Sequence, residues 1–349
     1  MSKYWELKLG SSRFLINKKS FAIIFTLTLL IMAAIVVSLG IGQMVIWPID
    51  VVKAIFGYGE EMHKLVVNDF RMPRILLAVL AGAGLAMSGA ILQGIIRNPL
   101  ASPDIIGITA GAALSTVGFL VVFSDRSSSL TVSIQWLPLA SLIGAVLMGF
   151  FVYLLATNRN GVQPVKLVLI GVGLSAAVEA VTTMIMTFGP IYTAARANIW
   201  LTGSVNGATW EQVGTITPWV VGLGIILMFY TTQLNMQGLG DDIATNAGAR
   251  VQRDRLVLLV LATALAGGSV AFAGGIGFVG LMAPHIARRL VGSVFSSLIP
   301  VSALIGGLIV LVADLIARTA FAPLEIPAGV FTSLIGAPYF IYLLFKTRK

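Results

Sequence analysis

Long stretches with almost no charge recur along the whole chain, and they constrain its fold more than any other feature. A transmembrane helix needs about 20 apolar residues, because the hydrocarbon core of a bilayer is roughly 30 Å thick. Stretches of about this length lie at 21–41, 75–96, 105–123, 137–156, 167–187, 213–232, 256–273, 298–318 and 325–345. The pattern therefore predicts an all-α integral membrane protein.

The number of spans follows from a tenth segment and from the charges at the two ends of the chain. Residues 274–286 are apolar and rich in glycine, but they are too few to cross as a straight helix; such broken segments are typical of backbone packed within protein. Both termini are rich in Lys and Arg, which favours the cytoplasm for both. Two cytoplasmic ends require an even number of spans, so about ten transmembrane helices are expected.

The chain is expected to form a single transmembrane domain over residues 1–349, located in the cell (cytoplasmic) membrane. Residues 1–20 are predicted to be a cytoplasmic segment. The apolar run that follows is longer than the roughly 7–15 residues of a signal peptide, so it is interpreted as a retained first span. Lipid is then the main partner of the outer surface.

Composition argues against several classes of function. The net charge is +9, but the basic residues lie in short runs without the basic face that is typical of nucleic-acid binding. There is no Cys and there are two His residues, too few for a metal site of the chain's own. Gly-Lys never occurs, so the chain has no P-loop, and no catalytic triad stands out. We expect no enzymatic activity, no metal and no cofactor bound by this chain.

Two arginine-containing motifs lie at the ends of predicted spans. Arg71 and Arg74 occur in RMPR before the second span, and Arg318 follows Asp314 in DLIAR. A guanidinium group is well suited to bonding the carboxylates of a partner. On these residues alone, anchoring of the span at the membrane interface is the favoured interpretation of the RMPR pair. Asp314 and Arg318 are four residues apart and are expected to pair on one helix face.

Residues 234–255 form the longest polar segment on the predicted cytoplasmic side. Asp241 and Asp242 follow Gly240, and acidic residues are typical of the first turn of a helix. Gly248 then interrupts the helical pattern. We therefore predict two short helices on the membrane surface rather than a plain solvated loop.

Two polar residues lie within apolar segments. Glu179 is near the middle of the fifth span, where a lone carboxylate is costly and function is the first hypothesis; a pore-facing residue and a helix-to-helix hydrogen bond are equally favoured. His285 lies beside Pro284 in the broken segment. It is either a pathway residue or, as favoured, a structural residue bonded to a neighbouring helix.

In these segments the chain resembles the permease subunits of binding-protein-dependent ABC importers for iron–siderophore complexes and cobalamin. The resemblance covers about residues 21–345. The motifs that carry it, in order, are FRMPRILLAVLAGAGLAMSGAILQGIIRNPLASPDIIGITAGAA, WLTGS, LGDDIATNAG, GFVGLMAPHIARRLVG, DLIAR and EIPAGVFTSLIGAPYF.

The resemblance implies a bundle like that of the cobalamin-importer permease and an assembly of several chains. Two permeases, alike or homologous, enclose the pathway, and two ATP-binding cassette subunits carry ATP and Mg on the cytoplasmic side. An extracytoplasmic substrate-binding protein delivers the cargo. By the resemblance, acidic residues of that protein dock on Arg71, Arg74 and Arg318.

The resemblance also assigns ATPase coupling to the segment 234–255. The residues that match the coupling motif are Gly240, Asp241, Asp242, Ala244 and Gly248. In the family the fifth and last spans line the pathway, which favours a pathway position for Glu179.

The expected cargo is a ferric siderophore, since iron–siderophore importers are the commoner members of this family. Cobalamin and haem are the alternative cargoes. An ion-coupled secondary transporter is the rival class, and it would predict several membrane carboxylates and two related halves, which the sequence does not contain.

Overall fold

The computed structural model of the protein describes residues 4–9, 12–124, 130–158, 161–189 and 191–346. Its α-helices are α1 Lys18–Gly40, α2 Pro48–Ile55, α3 Glu61–Lys64, α4 Met72–Ile96, α5 Ile108–Val122, α6 Leu137–Ala156, α7 Pro164–Phe188, α8 Ile191–Thr202, α9 Trp210–Phe229, α10 Thr231–Gln237, α11 Asp241–Asn246, α12 Val251–Ala273, α13 Val279–Val291, α14 Phe295–Thr319 and α15 Ala328–Lys346. A π-helical segment, Leu65–Arg71, joins α3 to α4, and a 3-10 turn, Ile134–Trp136, precedes α6.

Two short antiparallel pairs of strands accompany the helices. β1 Tyr4–Leu9 pairs with β2 Ser12–Asn17, and β3 Thr157–Asn158 pairs with β4 Gly161–Val162. The sequence analysis predicted neither pair. The first hairpin occupies much of the segment predicted to be a cytoplasmic N-terminus.

Seven helical stretches in the described residues are long and apolar enough to cross a membrane. They are Lys18–Gly40, Glu61–Ile96, Ile134–Ala156, Pro164–Phe188, Trp210–Phe229, Val251–Ala273 and Phe295–Thr319. α5 and most of α15 are shorter apolar helices, and α13 is the short helix of the predicted broken segment. The prediction of an all-α membrane protein with about ten transmembrane helices is confirmed.

α4 lies at the centre of the bundle. It packs most extensively against α14 and α12 and also contacts α9 and α13. In its most apolar part, 78% of the residues are buried within the chain. Small residues make this possible, since they let helix backbones approach closely.

Two glycines of α4 touch the backbone of neighbouring helices. A Cβ atom at Gly82 would overlap the carbonyl group of Gly306 on α14, and a Cβ at Gly306 would overlap that of Gly82. A Cβ at Gly89 would overlap the carbonyl group of Gly280 on α13. Glycine therefore lets the helix backbones meet at both crossings.

α7 is far less buried within the chain than α4. Only 11% of the residues in its most apolar part are buried within the chain. The buried residues form one narrow stripe: Leu167, Gly171, Ser175 and Thr182. Most of the surface of α7 is therefore available to lipid or to another subunit.

The broken segment predicted at 274–286 is present. α12 ends at Ala273, and residues 274–278 are not helical before α13 begins at Val279. Gly274 and Phe278 both have positive φ, at 69° and 65°. The carbonyl of Trp200 accepts a hydrogen bond from the N–H of Gly275 at 3.0 Å, which joins this segment to α8.

Shorter helices lie outside the spans. α2 is a short helix between the first two spans, and a continuous helical stretch begins at Glu61 and runs into α4 as far as Ile96. The two short helices predicted within 234–255 correspond to α10 and α11, although α10 begins earlier, at Thr231.

Candidate functional site

The three predicted docking arginines lie together, and Arg74 is at the centre of their interactions. It donates from Nε and Nη2 to Oδ1 of Asp314 at 3.0 and 2.8 Å. Its Nη1 donates to Oε2 of Glu325 at 2.8 Å and to Oδ1 of Asn206 at 3.2 Å. Arg74 is thus held by two carboxylates from the α14 end of the fold. Together with Arg71 and Arg318, these residues form what we call the arginine site.

Arg71 and Arg318 are held differently, by the C-terminal end of α1 and the loop that follows it. Arg71 donates to the carbonyl oxygens of Leu39 and Met44, and Arg318 donates to the carbonyl and the hydroxyl oxygen of Ser38. The last carbonyl groups of a helix lack partners within the helix and carry partial negative charge. Cationic side chains are therefore stabilised at this position.

The expected pair of Asp314 and Arg318 is present but secondary. The Nε of Arg318 lies 3.9 Å from Oδ2 of Asp314, whereas Nη2 of Arg74 lies 2.8 Å from Oδ1. Arg74 is therefore the main partner of this buried carboxylate. The spacing of four residues on the helix predicted the contact of Asp314 with Arg318, which is weaker than its contact with Arg74.

The arginine site opens into a cavity of about 660 Å³. Arg71, Arg74 and Arg318 all line it, with Asp69 and Glu325 among the other residues. Each of the three arginines is only 8% exposed. Arg74 is bonded through all three of its nitrogens, whereas Arg318 donates from Nη2 and its Nε has no hydrogen-bond partner among the described residues. The cavity thus presents three positive charges, of which that of Arg74 is the most fully bonded.

A second polar cluster lies at the other end of α4, and we call it the loop brace. Arg255 donates from Nη2 to both carboxylate oxygens of Asp241, at 2.8 and 3.0 Å, and Arg97 donates to the same carboxylate. Arg97 also donates to the carbonyl of Gln237 at 2.7 Å, and Arg255 to that of Val162 at 2.8 Å. The brace therefore ties α11 to the end of α4, to α12 and to β4.

The loop brace also affects the ionisation of Asp241. Burial alone would raise the pKa of its carboxyl group, but the hydrogen bonds and charges of Arg255 and Arg97 outweigh burial and lower that pKa. Because the folded pKa is below the ordinary value, the brace contributes fully above that ordinary value. Its contribution is lost only as the pH falls through the lowered folded pKa.

The other predicted coupling residues surround this aspartate. Gly240 and Gly248 have φ of 107° and 87°, a region that L side chains rarely adopt, and they lie just before and two residues after α11. Ala244 is buried, while Asp242 is exposed. Of the two adjacent acids, Asp241 is thus the internal one and Asp242 faces outward.

The two candidate pathway residues lie elsewhere, on separate helices. Glu179 is exposed on α7, and its carboxylate makes no hydrogen bond or ion pair with the described part of the chain. His285 on α13 accepts a hydrogen bond at Nε2 from Nε of Arg289 at 3.2 Å and packs edge-on against Tyr339. Within the described ranges, no group of three or more His, Cys, Asp or Glu residues could hold a metal ion.

The family assignment rests on a match to nearly the whole chain. Residues 29–346 match the FecCD transport family. The chain belongs to this family. It is therefore a multi-pass membrane protein of a transport family, and the all-α bundle described above is the FecCD fold.

Relatives and a solved structure agree with the FecCD assignment. The Bacillus subtilis (strain 168) protein named "Probable siderophore transport system permease protein YfhA" is 55% identical, over 95% of this chain and 97% of its own length. The achromobactin transport system permease protein CbrC of Dickeya dadantii (strain 3937) is 45% identical, over 92% of this chain and 90% of its own. The solved structure titled "An inward-facing conformation of a putative metal-chelate type ABC transporter" has a TM-score of 0.82 and 32% identity, over 93% of this chain and 99% of its own.

Several residues of this FecCD protein were missed by the sequence analysis. Asn206 and Ser38 complete the arginine site, but they lie 132 and 280 residues from the arginines they bond, so no local pattern reveals them. Arg97 and Arg255, the two arginines of the loop brace, were missed as well. A signal did exist for Arg255, since it lies at the start of an apolar helix close to an acidic pair.

Proposed function

We propose that this chain is the permease subunit of an ATP-driven importer that translocates a ferric siderophore. The observation that carries the proposal is the placement of two polar clusters at opposite ends of α4, each suited to a different protein partner. The choice of cargo is supported by the relatives named as siderophore permeases.

We further propose that the arginine site receives the extracytoplasmic substrate-binding protein. Three guanidinium groups around one cavity favour an acidic partner. This assignment places the cavity lined by Arg71, Arg74 and Arg318 on the extracytoplasmic side of the membrane. Both termini are then cytoplasmic, an orientation that the positive charge at both ends of the chain supports.

The segment 234–255 is proposed to contact the ATP-binding cassette subunit. Asp242 faces outward from α11, and Gly240 and Gly248 shape its two ends. ATP and Mg are proposed to bind the partner subunit, since this chain has no P-loop motif. The loop brace would then transmit movements of α11 to α4 and α12.

A second permease, either another copy or a homologue, is proposed to cover the exposed face of α7. An unpaired carboxylate is costly against lipid, so Glu179 favours a position that faces the pathway or the second permease. His285, which is bonded to Arg289, is proposed to have a structural role.

Radio-iron uptake tests the proposed function and the cargo. Cells that lack redundant importers are compared with and without this gene, using hydroxamate, catecholate and citrate chelates of iron. Uptake of one chelate class should be lost without the gene and restored by the wild-type gene. Unchanged uptake of all three, with loss of cobalamin or haem uptake, would contradict the siderophore assignment.

Replacement of Arg255 with glutamine is expected to uncouple ATP hydrolysis from transport. The change removes the charged donor to Asp241 and Val162, and a hydrogen bond to a charged group contributes about 1.5–3 kcal/mol. If about 1.4 kcal/mol of this bond holds α11 in its coupled position, the fraction of coupled importer, and with it the amount of iron chelate transported per ATP, should fall roughly tenfold. Both rates are measured with the assembled importer in proteoliposomes.

Arg196→Gln provides the control for this experiment. Arg196 is an exposed arginine on α8 and lies outside the segment 234–255. It should keep the ratio of transport to hydrolysis within about twofold, as expected for an exposed side chain. A similar ratio in both variants would show that the loop brace has no part in coupling.

A further inference from the structure

The two carboxylates bonded to Arg74 differ in how firmly they are held. The side chain of Asp314 is 1% exposed and accepts two bonds from Arg74 at its Oδ1, whereas the side chain of Glu325 is 35% exposed and accepts one. Removing a buried carboxylate from its partner leaves an uncompensated charge. A half-exposed carboxylate regains water instead, so its bond is easily exchanged.

Glu325 lies in the connection between α14 and α15, residues 320–327. Residues 320–325 of this connection are exposed. Residues 320–326 are tied to the bundle by the bond that Arg74 donates to Glu325 and by a long hydrogen bond from the N–H of Ile326 to the carbonyl of Ala317, at 3.3 Å. α15 is anchored separately, by the hydrogen bond from the N–H of Gly329 to the carbonyl of Gly203 at 3.0 Å. Freeing Glu325 would therefore loosen the connection while α15 stays in place.

Glu325 also lies beside the cavity into which the arginines face. An acidic side chain entering this cavity would meet an Nη1 group of Arg74 that is already bonded to a carboxylate. The entering carboxylate and Glu325 are chemically alike, so one can replace the other with little net change in the bonding of Arg74.

We propose that Glu325 is an internal substitute for a carboxylate of the docking protein. An acidic residue of that protein displaces Glu325 from Arg74, and the displacement releases the α14–α15 connection. Asp314 stays bonded and keeps Arg74 in position. This inference rests on the proposed docking function of the arginine site.

The first test measures the affinity of the binding protein from the same transport system, loaded with its ferric chelate. The assembled importer is held in lipid nanodiscs. Glu325→Gln should tighten binding roughly tenfold, because the docking carboxylate no longer competes for Arg74. Asp69→Asn is the matched control, since it removes one negative charge from the lining of the same cavity without breaking a bond to Arg74.

The outcomes separate the exchange from docking itself. If Glu325→Gln tightens binding no more than Asp69→Asn does, the higher affinity reflects only the change of net charge. The proposal that a docking carboxylate displaces Glu325 is then wrong. Arg318→Glu should weaken binding at least tenfold. If Arg318→Glu binds as the wild type does, the proposed docking site is wrong, whatever Glu325 does.

A second test follows the connection directly. The chain has no cysteine, so Leu324→Cys, at a position 74% exposed, gives one spin-labelling site on each copy. The label should become more mobile when the binding protein is added. In Glu325→Gln it should be mobile beforehand and should respond little. An unchanged spectrum in both cases would overturn the release of the connection.

Discussion

Replacing Arg74 with glutamine is expected to lower the free energy of unfolding by about 3 kcal/mol. The reason is Asp314, which is 1% exposed and takes its closest bonds from Arg74. Breaking a buried pair by removing one partner costs about 3–5 kcal/mol, because a charge is left buried without compensation. Arg318, at 3.9 Å, supplies partial compensation and places the expected effect at the lower end. Unfolding in mixed detergent measures the change.

The double variant Arg74→Gln, Asp314→Asn tests whether the unpaired buried charge, rather than the altered side-chain packing, causes the loss of stability. With both charges gone, most of the lost stability should return, since replacing both members of a buried pair is far less costly than removing one. Arg196→Gln, at an exposed arginine on α8, should change stability by less than about 0.5 kcal/mol. If the double variant is as unstable as the single one, the buried charge is not the cause.

Replacing Gly89 with alanine is expected to be among the most damaging single-methyl changes in the bundle core. The new Cβ would overlap the backbone of Gly280, and backbone atoms of packed helices cannot move aside as a flexible side chain can. Overpacking a core costs about 1–3 kcal/mol or more, and we expect the upper end of that range. The same unfolding assay, together with the yield of folded protein, measures the effect.

Gly222→Ala is the control for this substitution. Gly222 lies on α9, and a Cβ there meets nothing within 4 Å. Alanine is favoured over glycine in a helix by about 1 kcal/mol, so this variant should be as stable as the wild type or slightly more so. Equal stability of the Gly89 and Gly222 variants would mean that the α4–α13 crossing is looser than the structure indicates.

The helices were predictable because their signal is local. Runs of about 20 apolar residues predict spans from composition alone, and the glycines before Val279 predicted the break between α12 and α13. The ends of the helices were predicted less accurately. The second span was expected to begin at residue 75, but one helical stretch runs from Glu61 to Ile96. Arg71 and Arg74 can lie within this stretch because their side chains bond within the protein. The single-domain organisation of residues 1–349 stays a prediction.

The sites were only partly predictable because their partners are distant in sequence. The motifs identified Arg71, Arg74 and Arg318, but the pairing of Arg74 with Asp314 joins residues 240 positions apart. Asp241 was predicted as a coupling residue without its two arginines. The roles of the docking and coupling residues, and those of Glu179 and His285, stay predictions that need the partner proteins.

α4 begins in the arginine site and ends in the loop brace. Its 25 residues span about 37 Å at 1.5 Å per residue, and a packed helix does not stretch. If a partner protein moves α4 at one end, the other end moves as well, at the site where the second partner binds. Thermodynamic reciprocity then applies to the two binding events. If bound nucleotide changes the affinity for the binding protein by some factor, the bound binding protein must change the affinity for nucleotide by the same factor.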